Sequence, residues 1–184
     1  GYRSVFNKDN ADLGLSDGCN VDTDCPQGNA WRDQIKAVGK TVRGGSSCSG
    51  TLVGNVTGDN RPLFLSANHC GFSSNVIVYW LFERPNCGSG TPDDTKTTSG
   101  ATLLSSVNGS PGGFFIADSD HLLMELSENP SDMYDVYYAG WDANGATPQA
   151  VTGIHHPSGD AKKISMENDP LTSTDFFDNT PNPN

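Results

Sequence analysis

The sequence predicts an all-β fold made of many short strands, either a barrel or a sandwich. Three observations predict it: only 34% of the 184 residues are hydrophobic, glycine and proline number 21 and 11, and short apolar segments recur between turn residues. Such a composition is typical of strands joined by turns and not of long helices.

Six segments carry the strand signal, because each combines β-branched, aromatic or leucine residues and is followed by Gly, Asn, Asp, Ser or Pro. The predicted strands are residues 49–56, 62–67, 75–82, 101–107, 121–126 and 136–141. Trp31, Ile35 and Val38 fall at i, i+4 and i+7, which permits a short helix, although residues 37–42 could equally be extended. The sequence leaves both interpretations open.

The charge of the chain excludes two classes of partner. Twenty-two acidic against eleven basic residues give a formal net charge of −11. Nucleic acid and anionic membrane surfaces would repel such a protein, so neither is expected as a partner. No apolar run approaches the ~20 residues that cross a bilayer, and residues 1–4 do not resemble a signal-peptide core. We expect a secreted or periplasmic protein whose targeting segment has been removed.

The five cysteines are Cys19, Cys25, Cys48, Cys70 and Cys87. None lies in a Cys-x-x-Cys pair, which disfavours zinc-ribbon and thioredoxin-type sites and favours disulfides in an oxidising compartment. Because the count is odd, one sulfur is expected to lack a partner within this chain.

The segment Phe64–Gly71 carries the sharpest chemical signal, because an apolar strand places His69 directly beside Cys70. A histidine acts as a general base when one ring nitrogen faces the nucleophile and an acceptor holds the other. A lone histidine at a strand end is more often structural, so the signal requires a partner. The segment Asp118–Leu126 offers one, since a carboxylate there could accept the Nδ1–H of His69.

Three segments in this order resemble the chymotrypsin-fold serine proteases, and most nearly the bacterial lysyl endopeptidase group. They are Cys48-Ser-Gly-Thr-Leu-Val53, Leu65-Ser-Ala-Asn-His-Cys-Gly71, and Asp120 before Leu-Leu-Met-Glu-Leu. The similarity covers roughly residues 17–170. It implies a trypsin-like double antiparallel β-barrel, with residues 19–130 as the first barrel and 131–184 as the start of an incomplete second one. Residues 1–18 would be an N-terminal arm or processing remnant.

The resemblance also implies roles for single residues. His69 would be the general base and Asp120 its orienting acid, whereas the rival Asp118 lies at the wrong distance from the Leu-Met-Glu-Leu run. Disulfides would join Cys48 to Cys70 and Cys25 to Cys87. Cys19 would then pair with a cysteine in a later segment, which is also where the family places its nucleophilic serine. We therefore expect the chain to be incomplete.

Serines within the chain are weaker candidates for the nucleophile. Gly109-Ser110-Pro111-Gly112-Gly113 superficially resembles a nucleophile loop, but it lies between His69 and Asp120, whereas this fold supplies its serine last. We interpret it as a glycine turn. Ser46, Ser47 and Ser49 surround a disulfide cysteine and are expected to be structural.

The remaining histidines offer no metal site. His155 and His156 are adjacent, so on a strand they would point to opposite faces, and a structural role is expected. His121 has no ligand partner at helical or hairpin spacing and is expected to be incidental. Neither His-Glu-x-x-His nor a facial triad occurs, so no metal and no other cofactor is expected.

Two hypotheses of function follow. The first is a secreted serine endopeptidase that hydrolyses peptide bonds, after basic residues such as lysine, with its serine supplied by a missing or separate C-terminal segment bonded through Cys19. The alternative is a non-catalytic, protease-like module that binds peptides or a partner protein. A missing serine half would leave apolar strand faces uncovered, which favours the first hypothesis.

Overall fold

A computed structural model describes residues 16–106 and 120–172. These residues form ten strands in two sheets and one α-helix, α1, Arg32–Ala37. The strands are β1 Val21–Asp22, β2 Val38–Arg43, β3 Ser46–Val53, β4 Leu63–Ala67, β5 Ile77–Trp80, β6 Thr97–Ser99, β7 Ala101–Ser106, β8 His121–Leu126, β9 Val151–His155 and β10 Lys163–Glu167. This confirms the expected all-β fold, a trypsin-like barrel with an incomplete second barrel.

Seven strands make up the larger sheet, in the order β6-β5-β2-β3-β4-β8-β7, and neighbouring strands are antiparallel. In β8 the residues Leu122, Met124 and Leu126 are buried, and the residues between them face outward. The core that they enter also contains Leu52, Phe64, Val76, Val78, Trp80 and Ala101. Burying a side chain such as Phe64 contributes about 1.5–3 kcal/mol, so this cluster holds the sheet in its curled form.

A glycine in β3 makes room for the ring of Phe64 in this core. A Cβ on Gly50 would lie 2.1 Å from Cε1 of Phe64 and 2.9 Å from the carbonyl oxygen of Leu65. The Phe64 ring in turn meets Trp80 edge to face, with centroids 5.8 Å apart. Gly50 therefore lets β3 and β4 approach closely at the strand that leads to His69.

The smaller sheet has three strands in the order β1-β10-β9. Val21 pairs with Ile164 and Asp22 with Lys163, so a segment near residue 20 joins strands from the far end of the described chain. The Nζ of Lys163 donates to Asp22 at 2.5 Å, and both side chains are buried. A buried charge is tolerated when it is paired in this way.

Two fully buried lysines tie the sheets together. Lys40 of β2 donates to the carbonyl oxygen of Gly159, and its ammonium lies 4.6 Å from the ring centroid of Phe82. Lys162, just before β10, donates from Nζ to the carbonyl oxygen of Ile35 in α1 at 2.8 Å. Each ammonium reaches from one sheet to backbone that packs against the other, so the relative position of the sheets depends on both contacts.

Five of the six predicted strands coincide with strands of the structure, and the sixth is wrong. Residues 136–141 form no strand; Ala139 makes one isolated bridge to Val53. Its N–H donates to the carbonyl oxygen of Leu52, and its own carbonyl accepts from the N–H of Gly54, both at 2.9 Å. The segment thus crosses the end of β3 and does not run along a partner strand.

Both interpretations of the segment around Trp31 are correct, because a helix and then a strand follow each other along the chain. A 3-10 helix over Pro26–Trp31 leads into α1, and β2 begins at Val38.

Residues 1–15 of the expected N-terminal arm, the Gly109–Gly113 segment and Asp118 lie outside the described residues. Within the described ranges, no helix combines the length and the apolarity that a membrane span requires.

Candidate active site

His69 lies in a single 3-10 turn, Asn68–Cys70, that follows the last residue of β4. A disulfide from Cys70 to Cys48 ties this turn to the neighbouring strand β3. The guanidinium of Arg43, at the end of β2, donates from Nη2 to the carbonyl oxygen of Cys70 at 2.9 Å. The turn is therefore held by a covalent bond and by a hydrogen bond, immediately after the histidine.

Asp120 comes directly before β8 and has a positive φ of 46°. Antiparallel pairing of β4 with β8 places Ala67 opposite His121, so the residues just beyond each, Asn68 and Asp120, also face each other. The N–H of Asn68 donates to the carbonyl oxygen of Asp120 at 2.7 Å. The register of two strands thus brings Asp120 close to His69, which is 51 positions away in sequence.

Both carboxylate oxygens of Asp120 are used by His69. Nδ1 of the ring lies 2.6 Å from Oδ2, and the backbone N–H of His69 donates to Oδ1 at 2.9 Å. Because a carboxylate only accepts, Nδ1 carries the proton and Nε2 is left to exchange one. The Asp120 side chain is 19% exposed and that of His69 is 61% exposed.

Two opposing effects act on the carboxyl group of Asp120. Partial burial raises its pKa, but the hydrogen bonds from the His69 ring and backbone outweigh burial and hold the pKa below the ordinary aspartate value. Asp120 is therefore ionised at neutral pH and accepts the Nδ1–H of the imidazole as a carboxylate. Of the two acids considered from the sequence, Asp120 contacts His69, and Asp118 lies outside the described residues.

Both disulfides implied by the resemblance are present, Cys25–Cys87 and Cys48–Cys70. Cys19 is exposed and carries a free thiol. Cys48, Cys70 and His69 place their sulfurs and one ring nitrogen within 4.8 Å of one another, a group that could hold a metal ion. In the oxidised protein the disulfide occupies both sulfurs, so neither can act as a thiolate ligand.

Sequence reasoning missed one polar pair close to this site. Nε2 of His121 lies 2.8 Å from Oγ of Ser105, across the β7–β8 pair. The sequence feature that could have indicated this pair is the position of His121, directly after Asp120 and on the outward-facing side of β8. Ser105 bonds to His121 and not to His69, so this serine does not complete a triad with the His69–Asp120 pair.

The other candidate residues make contacts that hold the two sheets together. Oγ of Ser49 accepts the N–H of His156 at 2.8 Å, which links β3 to the smaller sheet. The buried ring of His156 donates from Nδ1 to the carbonyl oxygen of Asp160 at 3.1 Å. Burial, and then the nearby ammonium of Lys162, hold the pKa of His156 well below its ordinary value. Its Nε2 has no partner among the described residues.

A cavity of about 460 Å³ opens between the outer face of the larger sheet and β9. Its lining includes Val38, Thr51, Leu65, Asp120, His121 and Ile154. It is mainly apolar, with one carboxylate and one imidazole at its edge. The space between the two sheets therefore begins at the acid of the His69–Asp120 pair.

Comparison with known proteins identifies the family of this chain. The family described as "Lysyl endopeptidase, C-terminal domain" matches residues 13–183. A lysyl endopeptidase of Pseudomonas aeruginosa is 33% identical over 186 aligned residues, which cover 91% of this chain and 36% of that protein. The chain thus spans about a third of the length of this curated relative. With a match over nearly its whole length, the chain belongs to the family of lysyl endopeptidase C-terminal domains.

Proposed function

We propose that this chain carries the general base and the orienting acid of a secreted serine endopeptidase that cleaves peptide bonds after lysine. His69 is the base, Asp120 is the acid, and the nucleophilic serine comes from a segment outside these 184 residues. The double contact of Asp120 with the ring and the backbone of His69 carries the proposal.

In this mechanism Nε2 of His69 removes the proton of the serine hydroxyl while the oxygen attacks the scissile carbonyl. The carboxylate of Asp120 stabilises the imidazolium that forms and keeps Nδ1 protonated throughout. The imidazolium then gives its proton to the leaving amine. Backbone N–H groups of the serine loop would hold the oxyanion of the tetrahedral intermediate.

The resemblance to the protease family places the nucleophile in a later segment, and the absence of a hydrogen bond from any described serine to His69 supports this. The hydrogen bonds of its ring Nδ1 and of its backbone N–H go to Asp120. Ser105 is paired with His121, and Ser49 accepts a backbone N–H. In this proposal residues 19–130 form the first barrel, and residues 131–184 begin the second, which the serine segment completes.

The preference for lysine rests on the name of the relative and is compatible with charge. A net charge of −11 attracts basic peptides and repels acidic ones. The exposed thiol of Cys19 would bond to the segment that carries the serine. A disulfide of this kind belongs in an oxidising compartment, as do Cys25–Cys87 and Cys48–Cys70, which supports secretion.

The test compares the full-length protein with the 184-residue chain. A fluorophosphonate should label one serine in the full-length protein, outside residues 1–184, and should not label the chain alone. Peptide amides with lysine before the scissile bond should be hydrolysed faster than matched glutamate peptides. In the full-length protein Cys19 should resist alkylation without reductant, whereas in the chain alone it should react.

The competing function is a binding module without catalysis. It predicts that the full-length protein is not labelled and that His69→Ala leaves peptide binding unchanged. Labelling that is abolished by heat denaturation, together with loss of hydrolysis in His69→Ala, would exclude this alternative.

A further inference from the structure

The lysines of this chain are placed against the usual rule for that residue. The lysines of the described residues are Lys36, Lys40, Lys96, Lys162 and Lys163, and Lys8 lies outside them. Lysine is mostly exposed in proteins and almost never fully buried unless it is paired. Here Lys40 and Lys162 are closed to solvent and Lys163 is buried. Three of these five lysines therefore lie in the protein interior, where an ammonium group is costly.

The two partly exposed lysines are held as well. The ammonium of Lys36 pairs with Asp135, and Lys36 itself lies in the helix α1. Nζ of Lys96 lies 2.6 Å from Oδ2 of Asp93, and this ammonium is the main reason why the pKa of Asp93 falls to about 2. The carbonyl oxygen of Lys96 accepts the N–H of Trp80 at 2.8 Å. Neither lysine therefore combines an unpaired side chain with a backbone that is free of the helix and the sheet.

Two arginines are more exposed than any of these five lysines, although both residue types carry the same charge. The side chains of Arg32 and Arg61 are 39% and 48% exposed, against 34% for Lys36 and 31% for Lys96. Arginine is the residue that usually enters buried ion pairs, because a guanidinium is more weakly hydrated than an ammonium. Burying lysine and exposing these arginines reverses that preference, and a need for surface charge alone does not explain it.

Two long exposed segments contain no lysine. Residues 140–150 are exposed throughout and form neither helix nor strand, and residues 85–95 are exposed except for Pro92. Neither segment contains Lys or Arg. Exposed loops of small and polar residues are where endopeptidases nick folded proteins, because a cut elsewhere requires local unfolding. Lysine is therefore absent from the places where a lysine-specific enzyme would cut first.

We propose that the fold shelters its own lysines from self-cleavage, so that the peptide bonds after these five residues resist a lysine-specific endopeptidase while the chain is folded. The sheltered placement is a property of the fold, whereas its benefit rests on the proposed function. An enzyme that cleaves after lysine meets other copies of itself as substrates, so an exposed lysine would lead to its own hydrolysis. The buried ammonium groups thus do more than join the two sheets.

The bonds after the buried lysines are protected through both side chain and backbone. Lys40 lies in β2, which pairs with β3 on one side and β5 on the other. Lys163 lies in β10, between β1 and β9. A protease of this kind must take the side chain before the scissile bond into a pocket. The strand would have to leave its sheet and the ammonium would have to leave the core, which amounts to unfolding.

The experiment uses the full-length protein with His69→Ala, which has no hydrolysis of its own in the proposed mechanism, and an added lysine-specific endopeptidase. Each cut adds one water molecule and leaves a lysine carboxylate and a new amino group, so mass spectrometry of the fragments identifies the bond. The folded protein should keep all five bonds intact over a period in which the same protein in urea is cut after every one of them.

Ala143→Lys places a lysine in the exposed segment 140–150. The bond after this position should be cut at least about tenfold faster than any of the five lysyl bonds of the folded parent. Ala143→Arg is the matched control, since it adds the same charge at the same place. The lysine-specific enzyme should leave Ala143→Arg intact there, and trypsin should cut it. This pair separates an accessible backbone from the presence of lysine.

Resistance of Ala143→Lys equal to that of the parent would overturn the proposal, as would cleavage of the folded parent after any of the five lysines at the rate of this variant. The proposed function has its own readout. With His69 intact, the full-length Ala143→Lys protein should cut itself at the substituted position during storage. If the added enzyme cuts this variant and the variant does not cut itself, the shelter stands and the proposed lysine-specific activity fails.

Discussion

The ammonium of Lys162 lies 2.8 Å from the carbonyl oxygen of Ile35, in a place fully closed to solvent. Burial lowers the pKa of this lysine from 10.5 to about 8, and the negative charge of Glu83 offsets only part of that effect. The unfolded chain therefore holds a proton on Lys162 at pH values where the folded chain has already released it. Between pH 8 and 10.5 the unfolded state binds more protons, so Lys162 makes stability rise with pH across this window.

The prediction compares Lys162→Met with the parent chain. Relative to the variant, the parent should gain on the order of 3 kcal/mol in free energy of unfolding between pH 8 and 10.5. Urea unfolding at several pH values measures this difference. Lys36→Met is the control, because Lys36 is only half-buried beside Asp135 and its pKa is raised, not lowered. Parallel pH profiles for the parent and Lys162→Met would contradict the burial of an ammonium at this position.

His156 should make the folded chain less stable as the pH falls below 6.5. Burial first, and then the ammonium groups of Lys162 and Lys40, keep its pKa well below 6.5. Below pH 6.5 the unfolded chain gains a proton on this histidine that the folded chain refuses, so stability falls as the pH drops. His156→Gln keeps a donor for the carbonyl of Asp160 and cannot titrate.

The expected result for His156→Gln is a shallower acid limb. Below pH 6.5 the parent should lose up to about 1.4 kcal/mol per pH unit relative to the variant, measured by urea unfolding. His121→Gln is the control, since that histidine is half-buried on the outward side of β8. If both variants keep the slope of the parent, His156 takes up its proton in the folded chain at the same pH as in the unfolded chain.

Asp120→Asn tests the role of the acid in the full-length protein. An amide at this position can donate where Nδ1–H now donates, which favours the wrong tautomer of His69. We expect kcat to fall by about 10³–10⁴-fold at neutral pH, with KM nearly unchanged. Asp118→Asn is the matched control from the same segment and should keep activity within a few-fold. Equal losses in both variants would show that His69 does not depend on Asp120.

The sequence was sufficient for the part of the fold that positions His69 and Asp120. Apolar runs predict β4 and β8, and the sequence around Cys70 places His69 at the end of an apolar strand. The contact itself was not predictable from local pattern, because it depends on the register that pairs Ala67 with His121. Only the resemblance to a family selected Asp120 over Asp118.

Local sequence pattern fails in two places, at residues 136–141 and in the smaller sheet. Residues 136–141 combine β-branched and aromatic side chains as a strand does, but their one β-bridge among the described residues joins Ala139 to Val53. In contrast, β10 begins at Lys163, whose side chain is buried against Asp22. A strand that buries an ammonium through an ion pair 141 residues away carries no local apolar signal. The two-residue strand β1 likewise carries no local strand pattern, since its partner strand is distant in sequence.

Gly50→Ala tests how closely β3 must approach the strand that leads to His69. The added methyl group would lie 2.1 Å from Cε1 of Phe64 and 2.9 Å from the carbonyl oxygen of Leu65, and the latter is backbone that cannot rotate away. Overpacking of this kind costs typically about 1–3 kcal/mol, so the urea midpoint should fall with little change in slope.

Gly54→Ala, in the same region, is the control. Its Cβ would meet only the carbonyl oxygen of Ala139, at an ordinary 3.7 Å. Phe64 lies in β4, and the turn that holds His69 follows this strand directly. A shift of the Phe64 ring should therefore also disturb the His69–Asp120 hydrogen bond, visible as a changed imidazole proton resonance in Gly50→Ala and not in Gly54→Ala. An unchanged stability and resonance in Gly50→Ala would mean that β3 and β4 lie farther apart than this packing requires.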